Sequence, residues 1–305
     1  MTAPERNRSG RYHSRLRRRK LVTFVLLVLP ALLWFLALLL WPLYNMAYLS
    51  TVRWDGLALP KQSIGLGNYA RLLTDRNFSI ALRNTGLHLL VGLPGVTPLA
   101  FMLGFFLSLR RPGYRVLRTI FFSPAMISVA ALAMIFLGIY LPDGILNSWL
   151  TSIGLDSLTR VWLANSSTAL GALIAIDIWG GIGFYGVLFF AALANVPDEL
   201  YEAARLDGAG YWTVMWRVAF PLTLEFFGVA LILQFLWILS GAAQNVLLLT
   251  RGGPGTATLT LGYYLYEQAF LTQRLGYSQA LGMVILVIGL AGIVLIRRSV
   301  ARFTA

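Results

Sequence analysis

The chain has 305 residues, of which 58% are hydrophobic and 12% are charged. Soluble domains carry about 25% charged residues, so this composition excludes an ordinary soluble domain. The formal net charge of +13 can indicate nucleic-acid binding, but the positions of the basic residues, described below, argue against it. With no cysteine and two histidines, the chain has no disulfide, no thiolate metal site and no pattern of metal ligands.

Six long segments contain no Asp, Glu, Lys or Arg. They span residues 21–52, 84–109, 119–142, 178–197, 226–250 and 275–296. Each reaches the roughly 20 residues that a helix needs to cross the hydrocarbon core. Because backbone groups in lipid need partners within their own segment, and because the alternating pattern of a β-barrel is absent, we predict an all-α integral membrane protein with six transmembrane helices.

At the start of the chain, residues 1–20 are predicted to form a disordered basic tail near anionic headgroups. Residues 21–49 form the first predicted transmembrane helix, with Pro30 and Pro42 expected to bend or end it. The apolar stretch is longer than that of a signal peptide and no cleavage site follows it, which predicts an uncleaved anchor. An external loop is predicted at 50–82.

Residues 83–297 form the predicted core, with a short tail at 298–305. Its five helices are expected at about 84–109, 119–141, 168–194, 222–246 and 276–296, with external segments at 142–167 and 246–275. If the helices alternate in direction, 17 of the 25 basic residues lie on one side and eight on the other. This asymmetry predicts that both termini are cytoplasmic. It also explains the net charge without nucleic acid.

A polar segment at 195–221 separates the fourth and fifth apolar runs. Pro197 suits a first helical turn, and the acids at 198, 199 and 202 favour the positive end of a helix dipole. Gly208 can take the left-handed conformation that ends a helix. These features predict a helix of about ten residues across the membrane face. By themselves they leave a plain interfacial helix and a docking helix equally open.

The spacing within this segment resembles the EAA loop of bacterial ABC importer permeases. The matching positions are Glu202, Ala203, Ala204, Gly208, Val218, Phe220 and Pro221, and only Val218 and Phe220 depart from the usual Ile and Leu. The resemblance implies a type I ABC importer permease fold, in which a cytoplasmic coupling helix docks in a groove of the ATPase subunit. The implied coupling residues are Glu202, Ala203, Ala204, Asp207, Gly208 and Pro221.

Other motifs are similar to those of carbohydrate-type permeases, the maltose and glycerol-3-phosphate kind. They are Gly65–Tyr69, Leu249–Pro254 followed by Tyr263–Phe270, and Asp177–Trp179. The resemblance implies a sugar or polyol phosphate as solute and a place in the bacterial cytoplasmic (inner) membrane. It also implies three partners: an ATP-binding subunit dimer, a second homologous permease, and an extracytoplasmic solute-binding protein. Ala243-Gln244 stands where the family often has Phe-Asp, which bears on the solute.

A few polar residues lie inside the apolar runs. Asp177 is the only acid well inside one, at a cost of about 2.5–3.5 kcal/mol on insertion scales, and it shares a helix face with Gly181 and Tyr185. A pathway role and a structural hydrogen bond are equally open. In the fifth run, an aromatic beside amides suits sugar binding, although such residues also pack helices together. The predicted pathway residues are Asp177, Tyr185, Gln234, Trp237, Gln244 and Asn245.

No pattern in the chain predicts catalysis. Gly180–Gly183 lacks the Lys-Ser/Thr of a phosphate loop, His88 is interpreted as a packed helix residue, and no cofactor or metal is expected. Three alternatives remain: an ion-coupled secondary transporter that uses Asp177, a membrane scaffold that uses the polar segment for docking, and an ABC importer for amino acids, peptides or another non-carbohydrate solute. The absence of a visible inverted repeat weakens the first.

Overall fold

The structure is a computed structural model that describes residues 8–304 except Leu57, with side chains from 23 to 303. Six of its helical segments are long and apolar enough to cross a membrane, which confirms the predicted fold. They are Thr23–Ser50, Arg76–Ser108, Val129–Ser152, Ala169–Leu193, Leu224–Leu249 and Leu275–Phe303.

The elements follow one another with short connections. The first part contains α1 (Arg8–Ser50), a hairpin of β1 (Val52–Arg53) and β2 (Gln62–Ser63), α2 (Gly67–Thr74), α3 (Arg76–Ser108), α4 (Tyr114–Met126), α5 (Val129–Tyr140) and α6 (Ile145–Ser152). The second part contains α7 (Ala169–Leu193), α8 (Asp198–Leu206), α9 (Tyr211–Thr213), α10 (Phe220–Leu222), α11 (Leu224–Leu236), α12 (Ala243–Leu249), α13 (Leu261–Tyr266) and α14 (Leu275–Thr304). Three π-helical segments, Val214–Ala219, Trp237–Gly241 and Glu267–Leu271, interrupt the second part.

The first helix is longer than predicted. It begins at Arg8 and continues through Pro30 and Pro42 to Ser50, so residues 8–20 are helical rather than a disordered tail, and neither proline ends the helix. The segment is rich in Arg, Lys and Leu, which favour helix. The first seven residues of the predicted tail lie outside the described residues.

The third predicted span, at 119–141, is two helices rather than one. Ile127 is extended between α4 and α5, and the Ser128 hydroxyl accepts the N–H of Ala131 at 3.2 Å, which starts α5 afresh. Pro124 lies in the last turn of α4. Such a break is tolerated at membrane depth where the backbone lines a cavity, and this one does, as described below.

Pro221 does not open the fifth span as predicted. The chain is already helical from Tyr211, and Pro221 is the middle residue of the three-residue α10, after the π-helical segment Val214–Ala219. Because proline has no N–H to donate, the local pairing changes, and the Thr223 hydroxyl donates to the Ala219 carbonyl at 2.9 Å. The continuous helix α11 starts only at Leu224.

Two buried clusters fill the bundle. The one near α8, which we call the α8 end, is rich in aromatic rings, including Phe101, Phe105 and Phe189. The other lies at the opposite end, the loop end, and contains Tyr264, Tyr277 and Leu281. A close approach of α3 and α7 joins them, since a Cβ at Gly104 would lie 2.9 Å from the Gly186 carbonyl oxygen.

Buried amides hold the loop end together. Asn68 donates to the carbonyls of Ser50 and Val52 at 2.8 and 3.0 Å, which ties α2 to the end of α1 and gives the Gly65–Tyr69 motif a structural role. Asn84 donates to the carbonyls of residues 256, 257 and 259, so α3 fixes the loop that follows α12. This framework leaves the centre of the bundle to shape the site.

Asp75 connects three helices at the loop end and starts α3 eight residues before the predicted position. Its Oδ1 accepts the N–H of Asn77 at 2.8 Å, which is an N-cap, and its Oδ2 accepts from the hydroxyls of Tyr264 and Tyr277. Burial raises the pKa of Asp75, but hydrogen bonds from these hydroxyls and from backbone N–H groups outweigh it and leave the pKa lowered.

We expect this cluster to make stability depend on pH in acid. Because the pKa of Asp75 is lower in the folded chain than the ordinary 3.8, its contribution is complete above that value and is lost as the pH falls through the folded pKa. Asp75→Asn should lower the melting temperature at pH 7 and reduce the acid dependence between about pH 5 and 2. Melting of both chains in detergent across that range tests this; equal pH slopes would contradict it.

Candidate functional site

The helix α8 is present where the sequence predicts a coupling helix. It runs from Asp198 to Leu206, and Gly208 follows with φ of +78°, the left-handed conformation that favours glycine. The N–H groups of Asp207 and Gly208 donate to the carbonyls of Ala203 and Arg205. The prediction that Gly208 ends this helix is therefore confirmed as geometry.

One face of α8 is open and the other is anchored. Glu202, Ala203 and Asp207 are exposed, and Ala204 is half-buried. Leu206, which the sequence argument did not single out, is 89% exposed; an apolar side chain so placed is typical of an interaction surface. The helical spacing of apolar Leu206 against buried Tyr201 was the signal available for it. The outer face of α8 is thus small, acidic and apolar in turn.

Tyr201 anchors the inner face. It is 8% exposed, its ring lies 6.5 Å from that of Phe105, and the ring of Phe105 lies 5.2 Å from that of Tyr211. Its hydroxyl is buried without a hydrogen-bond partner among the described residues. Burial, and to a smaller extent the Asp198 carboxylate, raises the pKa of Tyr201, so the hydroxyl keeps its proton.

We expect the ring of Tyr201, and not its hydroxyl, to hold α8. Tyr201→Phe removes only an unsatisfied polar group, which costs free energy in the folded state, and should leave stability equal or slightly higher. Tyr201→Ala removes the ring and should cost about 3 kcal/mol. Melting temperatures of the two variants in detergent test this, and a large loss in Tyr201→Phe would show that the hydroxyl has a partner that matters.

Packed aromatic rings lie behind this anchor. The ring of Phe101 lies 5.6 Å from those of Phe189 and Trp216 and 5.5 Å from that of Phe220. These residues belong to α3, α7, the π-helical segment Val214–Ala219 and α10, so a displacement of α8 meets a dense, poorly compressible layer. The layer connects α8 with the helices that surround the cavity.

A cavity of about 260 Å³ lies between α3, the α4–α5 break, α7 and α11. Four of the six predicted pathway residues line it: Asp177, Tyr185, Gln234 and Trp237. Gly181 also lines it, in agreement with the prediction that Asp177, Gly181 and Tyr185 share a face. The walls are otherwise mainly apolar, with polar groups concentrated around Asp177.

Asp177 is the centre of the polar groups. Its side chain is 8% exposed, and its Oδ1 accepts from Asn245 Nδ2 at 2.8 Å and from Trp237 Nε1 at 3.4 Å. His88 Nε2 lies 3.2 Å from its Oδ2, the distance of an ion pair, although the angle does not give a regular hydrogen bond. The buried charge is therefore surrounded by three N–H-bearing side chains.

His88 is the residue that sequence reasoning missed. It was interpreted as an isolated packed residue, whereas its side chain is 3% exposed and faces Asp177 while lining the cavity. The available signal was modest: the sequence places one histidine and one acid inside apolar runs, and such groups pair with one another in membranes.

Gln234 bridges two helices. Its Nε2 donates to the Gly92 carbonyl at 2.8 Å, and its Oε1 accepts from the Thr97 hydroxyl at 2.7 Å. Both ends of the amide are thus engaged by α3, and the residue is 3% exposed. Gln234 borders the cavity while it joins α11 to α3.

The end of the fifth span is shaped by a π-helical segment. Trp237 begins this segment, and a Cβ at Gly241 would lie 2.5 Å from the Trp237 indole, so glycine leaves the space that the ring occupies. Asn245 is buried and bonds to Asp177, while Gln244 beside it is exposed and does not line the cavity. Single-turn π-helical segments occur often at functional sites.

Six apolar crossings around a cavity with one buried charged pair, together with a protruding short helix, define a multi-pass membrane transport protein. Residues 96–305 match the family model of the binding-protein-dependent transport system inner membrane component. The chain belongs to this family of permease subunits. It is 37% identical to the probable ABC transporter permease protein YurN of Bacillus subtilis, over 89% of this chain and 93% of the relative.

Further similarities agree with this assignment. The diacetylchitobiose uptake system permease protein NgcF of Streptomyces coelicolor is 33% identical, over 93% of this chain and 85% of the relative. The fold matches a bacterial alginate ABC transporter, crystallised with an alginate-bound periplasmic protein, with a TM-score of 0.80 at 24% identity over 94% of this chain and 96% of the other. The match confirms the ABC importer permease fold.

Proposed function

We propose that this permease carries a sugar, most simply an oligosaccharide, across the bacterial cytoplasmic membrane in an ATP-driven importer. The observation that carries the proposal is the cavity in which an indole, a carboxylate and amides meet between crossing helices. Aromatic faces and a few fixed polar groups are what sugar sites provide. The diacetylchitobiose permease, a relative at 33% identity, supports an oligosaccharide over a polyol phosphate.

A separate ATPase dimer docks on α8. Glu202, Ala203, Ala204 and Asp207 form or border the contact surface, with exposed Leu206 in a groove of the ATPase. Gly208 ends the helix, and Pro221 closes the linked helical segment behind it. When the ATPase dimer closes, it moves α8, and the aromatic layer around Phe101 transmits the movement to the cavity. Both termini lie on this cytoplasmic side, where the basic residues concentrate.

Within the cavity, Trp237 stacks on a sugar ring, and Asp177 orders the polar groups around it. Asn245 and Gln234 hold the neighbouring helices in place through their hydrogen bonds to Asp177, Thr97 and Gly92. Tyr185 forms part of the wall. Gln244 and the 39% exposed Trp237 face outward from this chain, toward a second homologous permease that completes the pathway.

An extracytoplasmic solute-binding protein delivers the solute at the loop end. A wide basin of about 1060 Å³ lies there, with polar walls from residues 142–166 and with Pro254 at its edge. The predicted loops 50–82 and 246–275 border the same end through the hairpin β1–β2 and the turn around Pro254. The basin therefore adds the 142–167 segment to the docking surface.

One observation disfavours the ion-coupled alternative. Both oxygens of Asp177 already face N–H-bearing side chains, and the described residues hold no group of three His, Cys, Asp or Glu side chains that could bind a metal ion. An ion site would need free oxygen ligands for a hard cation.

Purification of the tagged chain from its own membranes tests the proposal. We expect an ATPase, a second permease and a solute-binding protein to co-purify, and ATP-driven uptake of diacetylchitobiose, arabino-oligosaccharide or another sugar in proteoliposomes that contain the complex. Uptake that follows an ion gradient and needs no ATP would contradict the proposal.

A further inference from the structure

We propose that His88 is a further solute-binding residue, held in position by Asp177, and that the pair restricts this pathway to uncharged or cationic solutes. The inference rests on the proposed function, because it assigns a role and a solute class to the same cavity. It follows from the way in which the hydrogen-bonding capacity of Asp177 is used.

Asp177 has little left to offer a solute. Its Oδ1 accepts from Asn245 and Trp237 at 2.8 and 3.4 Å, and its Oδ2 is buried against His88 Nε2 at 3.2 Å. A solute hydroxyl would have to displace one of these side chains. Asp177 is therefore a positioning residue, and the group that it positions is the imidazole that also lines the cavity.

The contact fixes which imidazole nitrogen carries a proton. An ionised carboxylate only accepts hydrogen bonds, so the nitrogen that faces it, Nε2, is the one that holds the proton. The hydrogen bond at one nitrogen of a histidine sets the state of the other. In a neutral imidazole, Nδ1 is then a free acceptor, and no described residue donates to it. A solute hydroxyl or ammonium group can donate to Nδ1.

The surroundings hold the imidazole in place. A Cβ at Gly92, one turn along α3, would lie 3.3 Å from His88 Cδ2 and 2.9 Å from the Ile238 side chain, so the ring lies in a tight space. The Gly92 carbonyl is itself fixed by Gln234. A ring that is oriented by packing and by a carboxylate gives up little freedom when it binds a solute.

The charge balance selects the solute. The residues that line the cavity include Asp177 as an acid, His88 as the other ionisable polar group beside Tyr185, and neither Lys nor Arg. With a neutral imidazole the cavity carries one negative charge, and with an imidazolium it carries none. In neither state is it positive, and a carboxylate or phosphate on the solute would enter a low-dielectric space without a cationic partner.

Nitrogen NMR of the imidazole is a direct test, because the chain has only two histidines. In a His13→Gln chain labelled with ¹⁵N-histidine, one imidazole remains. In the complete permease–ATPase complex in nanodiscs at pH 8, we expect a protonated Nε2 and a bare Nδ1. The opposite tautomer would overturn the inference, and this result does not depend on any solute.

Addition of solute probes completes the test, without the binding protein so that its selectivity does not contribute. A neutral oligosaccharide should shift the Nδ1 signal, and a uronate oligosaccharide of equal length should not. A shift with both, with the uronate alone, or with neither would overturn the inference. Because the complex must first assemble with its ATPase, failure of the proposed function is seen before this step.

Uptake by two variants separates binding from structure. His88→Gln keeps an amide donor for Asp177 but lacks Nδ1, and His88→Leu lacks both. We expect uptake by His88→Gln to remain reduced at least about fivefold, the value of one hydrogen bond of about 1 kcal/mol. Full recovery in His88→Gln, with loss in His88→Leu, would show that the residue is structural only.

Discussion

Gly208→Pro is expected to abolish ATP-driven uptake. Gly208 has φ of +78° and its N–H donates to the Arg205 carbonyl at 3.0 Å. Proline fixes φ near −65° and has no N–H, so the chain cannot turn after α8 as it does now. The helix would then meet the ATPase in a different orientation. We expect little or no uptake, loss of ATPase co-purification, and a bundle that still folds, because Gly208 is exposed.

The controls for this prediction are close in sequence. Gly210 has φ of −74° and open space around its Cβ position, so Gly210→Ala should leave uptake unchanged. Gly208→Ala forces a non-glycine residue into the left-handed region at a cost of about 1–2 kcal/mol and should give an intermediate loss. Glu202→Lys tests the exposed acidic contact separately. Normal uptake by Gly208→Pro would mean that α8 does not transmit the energy of ATP hydrolysis.

Asp177→Leu is expected to have the second large effect. The change leaves the N–H groups of Asn245, Trp237 and His88 without their acceptor. Unsatisfied buried groups cost about 1–3 kcal/mol each, so we expect a clear loss of thermal stability and no measurable uptake. Because His88 loses its orientation, the loss of uptake should exceed what the lower amount of folded protein explains.

Asp177→Asn distinguishes the role of charge from that of shape. Its amide oxygen still accepts from Asn245 and Trp237, so stability should largely recover. Asp156→Asn, at an exposed carboxyl far along the chain, is the matched control and should behave as the parent. Uptake is compared with ATP present and with ion gradients collapsed by ionophores. Uptake that depends on the gradients and on Asp177 would support an ion-coupled mechanism instead.

The sequence predicts the parts of this protein that local physics determines. Six charge-free runs predict the six crossings because the bilayer requires length and low charge. The end of α8 follows from a glycine that alone takes φ of +78° easily. The start of α3 was placed too late because Arg76 and Arg83 suggest a loop, whereas the Asp75 cap begins the helix.

The remainder depends on tertiary structure. Nothing at Ile127 or Ser128 resembles a helix stop, yet α4 ends there beside the cavity. The π-helical segments place Trp237 and Met215 by shifting helical pairing, which hydrophobic periodicity does not reveal. His88 and Asp177 lie on different helices, and only the packing of α3 on α7 brings them to 3.2 Å. The coupling residues and the cavity residues stay predictions until they are tested.

Photo-cross-linking from α8 tests the central claim most directly, because the chain has no cysteine and a new one is unique. Ala203→Cys, on the exposed face of α8, is labelled with a maleimide-benzophenone and irradiated in native membranes. The account predicts a cross-link to an ATPase subunit that changes in yield when ATP is trapped, and none from Ser152→Cys at the loop end. Cross-links from Ala203→Cys to lipid alone, with ATPase present in the membranes, would contradict it.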